Sequence, residues 1–114
     1  MQQLSSALEK GKEICTIVEG KKDKAALVAF GFTSLVCLEQ RPLFEVIESI
    51  TAKEVQVLTD LDPEGKKLYA ALSPELQKRG VKINNNLRNL LFKTSLRQIE
   101  GLVHFEETHP ELFQ

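Results

Sequence analysis

Four short apolar runs, each followed by a stretch of helical periodicity, constrain this chain more than any other feature. The runs lie at 14–18, 34–38, 54–59 and 81–83 and are rich in Val and Ile. Runs this short, apolar on successive residues, suit strands buried on both faces of a sheet. Between them, Leu43, Val46, Ile47 and Ile50 recur at helical spacing, as do Leu68, Ala71, Leu72 and Leu76. Asp23 is placed to cap a helix over 24–30, Gly31 and Gly80 to end helices, and Pro42 to open one. Ser73-Pro74 predicts a kink or a restart in the helix over 64–79. Strand–helix alternation of this kind implies a parallel sheet with helices on both faces, joined by right-handed crossovers.

The chain of 114 residues is long enough for one core, and we read it as a single domain over 1–114. Its motif core spans about 14–91, and 92–114 is a helical extension. In that extension Ser95-Leu96-Arg97-Gln98 reads as a capping box, and Leu112 and Phe113 as a docking tail. The formal net charge is −1, so any contact with nucleic acid has to come from a local basic patch. No apolar run approaches the length of a membrane span, and the start at Met1 does not read as a signal peptide. Cys15 and Cys37, each inside an apolar run, read as free thiols. A cytoplasmic protein without membrane contact is the expectation.

The chemistry-bearing residues stand at the ends of two strands. The first run closes on Glu19-Gly20. The third closes on Asp60-Leu61-Asp62-Pro63-Glu64-Gly65. Ligands of parallel sheets bind beyond the carboxyl ends of the strands, where strand order reverses. With an order 2-1-3-4, Glu19 and Asp60 end neighbouring strands about 4.8 Å apart. Their carboxylates, with that of Asp62, could then share one hard cation, since Mg²⁺ takes oxygen ligands. The alternative for Asp62 is a helix N-cap in an Asp-rich turn. Three acids at one edge should repel one another and raise at least one pKa. Lys22 and Lys66 flank the acids and Arg88 lies at the same edge, which makes them candidates for phosphate contact. His104 and His109 lack a third ligand at useful spacing. Gly20, Asp23 and Gly65 read as structural neighbours of the site.

Ile17-Val18-Glu19-Gly20 together with Asp60-x-Asp62-x-x-Gly65 resembles the motif pair of Toprim domains, the catalytic modules of some topoisomerases, primases and nucleases. The likeness runs over about 14–91 and is greatest to short stand-alone Toprim proteins and to the Toprim part of the ribonuclease that matures small ribosomal RNA. Glu19-Gly20-Lys21-x-Asp23 carries that subgroup likeness, whereas Lys66-Lys67-Leu68 departs from the ribonuclease. The resemblance implies a Rossmann-like three-layer α/β fold. It also implies Mg²⁺- or Mn²⁺-dependent processing of phosphodiester bonds. Asp60 and Asp62 would hold the metal, Glu19 would be acid/base or a further ligand, and water would attack. Tyr69, the only tyrosine, reads as packing. The competing expectation is a non-catalytic subunit of a larger RNA- or DNA-processing complex. A phospho-accepting receiver domain would need a fifth strand preceded by a lysine, which the sequence does not supply.

Overall fold

The structure, a computed structural model, describes residues 2–114; Met1 lies outside the described residues. Six helices and four strands alternate: α1 (Gln2–Gly11), β1 (Cys15–Val18), α2 (Lys21–Ala29), β2 (Leu35–Cys37), α3 (Leu43–Ser49), β3 (Glu54–Val57), α4 (Pro63–Lys78), β4 (Lys82–Ile83), α5 (Asn86–Phe92) and α6 (Leu102–Thr108). Short 3-10 turns at Ile99–Gly101 and Pro110–Phe113 flank α6. The strands form one sheet in the order β2-β1-β3-β4. All three pairings are parallel, with Ile17 opposite both Val36 and Val57.

Side chains on successive strand residues go to opposite faces, and two cores result. Val18 and Leu58 pack with Leu4, Leu27, Leu91, Leu102 and Phe105 on the face covered by α1, α2, α5 and α6. Ile17, Val55 and Val57 pack with Val46, Leu72 and Leu76 on the face covered by α3 and α4. This is the three-layer α/β arrangement that strand–helix alternation implies. One strand residue breaks the apolar rule. Gln56 is buried on the α1 side, where its Nε2 donates to the Gly11 carbonyl at 2.8 Å and to Thr16 Oγ1 at 2.9 Å. Those bonds tie the end of α1 to the middle of the sheet and leave the amide satisfied.

Three local expectations are corrected. α2 starts at Lys21, with Gly20 at the cap position, so Asp23 sits in the first turn. From there its Oδ2 accepts the Gly20 N–H at 3.0 Å, which does the work of a cap from inside the helix. α4 runs unbroken through Pro74. Pro74 and Ala70 are both exposed, so the backbone bond that proline removes lies where water can replace it. Ser95 does not cap a helix. Asp60 Oδ1 takes the Ile99 N–H at 2.8 Å and Gln98 Nε2 reaches Asp62 Oδ2 at 3.3 Å, so acids from the β3–α4 loop anchor this segment instead. The tail docks as expected: Leu112 and Phe113 pack against the α1–α5 core, and Ser5 Oγ donates to the Phe113 carbonyl.

Candidate functional site

The site is built where β1 and β3 stop. Glu19 follows Val18 directly, and Asp60 follows the end of β3 by three residues. The two chains run side by side to this rim, because Leu58 N–H bonds to the Ile17 carbonyl at 2.8 Å. Beyond that bond the side chains take over. Glu19 Oε2 accepts the Asp60 N–H at 2.6 Å. Asp60 Oδ1 in turn accepts from Ile99. Both carboxylates line a cleft of about 470 Å³, together with Gly20, Lys21, Lys22, Asp23, Glu39 and Glu100. Glu19 and Asp60 are half-buried, whereas Lys21 and Lys22 are exposed.

Burial sets the protonation of Glu19. Removal from water raises the Glu19 carboxyl from its ordinary 4.5 to about 7. The Asp60 N–H pulls the other way, and the charges of Asp60 and Asp23 add smaller upward pushes. Asp23 is also raised, first by burial and then by the charge of Asp60. The repulsion expected among clustered acids is therefore present but secondary to desolvation.

Asp62 stands apart from the pair. Its Oδ1 accepts the Gly65 N–H at 2.9 Å as the N-cap of α4, and its Oδ2 accepts from Gln98. It is not among the residues that line the cleft. Among the described residues, no three Asp, Glu, His or Cys side chains are grouped closely enough to hold a metal ion. The expected trio is thus a converging pair, Glu19 and Asp60, plus a helix cap. A cap was the alternative reading of Asp62, and it is favoured locally because an aspartate one residue before Pro63 at N1 meets the free N–H groups of a new helix.

The loop that carries these acids is tightly folded. A Cβ on Gly65 would lie 1.9 Å from the Asp60 carbonyl oxygen and 2.6 Å from its nitrogen, so only glycine fits. Thr59 Oγ1 closes the same loop by donating to the Gly65 carbonyl at 2.7 Å.

Arg88 was expected to face phosphate and does not. It is 5 % exposed, and its guanidinium donates to the carbonyls of Val57, Thr59 and Asp60 at 3.1, 2.7 and 3.3 Å. Tyr69 stacks beneath it at 4.7 Å, and the Tyr69 hydroxyl donates to Asn85 Oδ1 at 2.8 Å. The three carbonyls lie past the pairing of β3 with β4, at and beyond the end of β3, and a fork of fixed donors satisfies them at once. Burial lowers the Arg88 pKa from its usual value, while Tyr69, Glu19 and Asp60 oppose that shift. Arg88 is therefore the positive support beneath the acidic pair and a positioning residue for it.

Lys22 lies at the cleft, exposed. Lys66, also exposed, holds its ammonium 4.8 Å from the centre of the Phe92 ring. The sequence reading missed three contributors: Ile99, Gln98 and Glu100. The first acts through its backbone N–H, which has no residue signature. Glu100 and Gln98 are ordinary surface types in a segment far along the chain. His109 stacks on Phe105 at 4.3 Å, consistent with a packing role. Cys15 and Cys37 are free thiols, and burial raises that of Cys15. No described helix is long and apolar enough to cross a membrane.

No family model matches the sequence. The chain is similar to the UPF0292 protein of Methanocaldococcus jannaschii, 31% identical over 96 residues, which are 78% of this chain and 75% of that one. It is 34% identical over 88 residues to the UPF0292 protein of Pyrococcus horikoshii, covering 75% of this chain and 67% of the relative. A solved structure of a protein from Aquifex aeolicus has the same fold, with a TM-score of 0.76 and 27% identity over 86% of this chain and 93% of that one. With that identity and coverage, on an all-parallel 2-1-3-4 sheet, the chain belongs to the UPF0292 family.

Proposed function

We propose that this protein is a divalent-metal-dependent phosphodiesterase acting on nucleic acid, with Glu19 and Asp60 as its catalytic pair. The observation that supports it is the convergence of two carboxylates, from residues 41 apart in the chain, on one cleft at the switch point of the sheet. The motif likeness to Toprim domains supplies the reaction class.

The pair suits Mg²⁺ or Mn²⁺. Mg²⁺ is commonly held by one or two carboxylates and otherwise by water, so two acids in an open cleft are a sufficient donor set. When bound, the ion would offset charge building on the phosphate oxygens and orient the scissile bond. Asp60, pinned through Oδ1 by the Ile99 N–H, would be the fixed ligand. Glu19 has a pKa of about 7 in the metal-free protein, and a cation nearby would favour its carboxylate form, the form that accepts a proton from water and can return it to the leaving oxygen. Asp62 keeps the α4 terminus in place behind the pair. Water is the nucleophile in this reading, because the hydroxyl of the only tyrosine is bonded to Asn85.

The test is a cleavage screen over structured RNA and DNA with Mg²⁺ or Mn²⁺, run beside Glu19→Gln and Asp60→Asn. Metal-dependent cleavage that drops by about 10²- to 10⁴-fold in Glu19→Gln supports the proposal. Equal cleavage by all three proteins overturns it. A second reading follows from Asp62, whose two oxygens are both engaged away from the cleft. A site with two free acids suits a binding module in a larger RNA- or DNA-processing complex. Metal binding without cleavage, with co-purification of such a complex, favours that reading.

A further inference from the structure

We propose that Lys66, Phe92 and Arg97 form a phosphate-gripping platform for the backbone of a nucleic acid that reaches the Glu19–Asp60 pair past Asp62. The inference rests on the nucleic-acid reading of the site and adds where the strand is held.

Charge decides the side of approach. The cleft carries five acids, Glu19, Asp23, Glu39, Asp60 and Glu100, against two lysines, Lys21 and Lys22. A phosphate backbone laid along it would meet net repulsion beyond any bound metal. The other flank of the Asp60–Asp62 loop carries two cations gathered on one aromatic ring. Lys66 Nζ lies 4.8 Å and Arg97 Cζ 5.8 Å from the centre of the same Phe92 ring. The two charges are therefore no more than about 11 Å apart. Among the described residues the ion pairs are Lys12–Glu9 and Lys78–Glu75, so neither platform cation is spent on a carboxylate.

Both cations are tied to the motif loop through the backbone. The Leu61 N–H bonds to the Arg97 carbonyl at 2.6 Å, and the Lys66 N–H to the Asp62 carbonyl at 3.0 Å. Their positions are thus fixed relative to Asp60. Arg97 Nη1 donates to the carbonyls of Thr94 and Leu96 at 2.7 and 2.8 Å, which orients the fork. Phe92 contributes by holding two long side chains that would otherwise move freely, and a pre-positioned cation loses less entropy on gripping an anion. From Arg97 and Gln98 a groove of about 590 Å³ continues past His104 and His109, lined by one carboxylate, Glu100, where the cleft has five. Arg97 and Phe92 were not singled out from sequence, since their meeting with Lys66 depends on how the extension folds back.

The bland account is that the two stems merely cover a partly exposed ring. Binding of labelled single-stranded RNA, single-stranded DNA and duplex to the full chain, measured by fluorescence anisotropy without divalent metal across a salt series, separates the two. On the platform account, Lys66→Gln and Arg97→Gln each weaken binding and lower the salt slope by about 1. Phe92→Leu weakens binding severalfold while the slope holds, because both charges remain. Lys53→Gln, before β3 at the opposite rim, matches the parent. Variants that bind like the parent, or a parent that binds none of the probes, overturn the platform. The arm that binds identifies RNA or DNA as the source of the phosphates. Slope losses in a protein that cleaves nothing in Mg²⁺ would keep the platform and sink the phosphodiesterase. Metal-dependent cleavage with an unchanged KM in Lys66→Gln and Arg97→Gln would do the reverse.

Discussion

Asp60 and Asp62 are separated by one residue and do opposite work. Asp60 faces an open cleft and meets Glu19 from the neighbouring strand. Asp62 faces the start of α4 and has both oxygens accepting N–H groups. One half of the loop is left available for chemistry because the other half is closed by structure. The division depends on Gly65, whose missing side chain lets α4 begin against the Asp60 backbone. In an acidic loop, then, the acid that matters for chemistry is the one whose hydrogen bonds leave an oxygen facing solvent.

The largest effect should come from removing the closure. Gly65→Ala places a methyl group 1.9 Å from the Asp60 carbonyl oxygen, with backbone as the obstacle, so the loop has to shift. Thermal unfolding should show a loss of about 3 kcal/mol or more, or a fall of at least about 10 °C in Tm. A near-parental Tm would mean that α4 does not start so close to Asp60.

Asp62→Ala removes the cap and the exposed Gln98 contact and should cost about 1 kcal/mol, most of it from the cap. Asp62→Asn keeps an acceptor and should cost less. Asp60→Ala leaves the Ile99 N–H without its acceptor and should also cost about 1 kcal/mol, so denaturant titration should find the two alanine variants similarly destabilised. A parental stability for Asp60→Ala would mean that the Ile99 contact does not anchor the segment.

The smallest effect is a pH dependence on the open side. Glu19 has a folded pKa of about 7, above its ordinary 4.5. The folded state therefore holds this proton more tightly than the unfolded state does. The resulting stabilisation is complete below about pH 4.5 and is lost as pH rises through about 7. Glu19 is only partly buried, so solvent screening keeps the change modest. Metal-free protein should lose stability between those pH values, and Glu19→Gln should flatten that segment of the profile. A variant profile parallel to the parent's would assign the dependence elsewhere.

Much of this arrangement was legible in the sequence, for identifiable reasons. Strand–helix alternation and the ends of β1 and β3 are marked by residue type, so Glu19 and Asp60 could be placed at one rim before any coordinates. The order 2-1-3-4 was a supposition at that point, and the sheet has it. What escaped was carried by groups that sequence patterns do not mark. The Ile99 N–H on Asp60 and the Arg97 carbonyl on Leu61 are backbone contacts from a segment about 40 residues on. Arg88 looked like a surface cation because its burial is decided by three carbonyls that have no pattern of their own. Pro74 was expected to kink or restart α4, and exposure of that side of the helix lets it pass.

The central claim is that a divalent ion binds between Glu19 and Asp60. Paramagnetic broadening of amide NMR signals during a Mn²⁺ titration tests it most directly. The account predicts that the amides of Glu19, Gly20, Asp60 and Leu61 broaden first, and that Asp60→Asn abolishes this pattern while the rest of the spectrum stays folded. Broadening centred on another part of the surface, or the same broadening in Asp60→Asn, would contradict it.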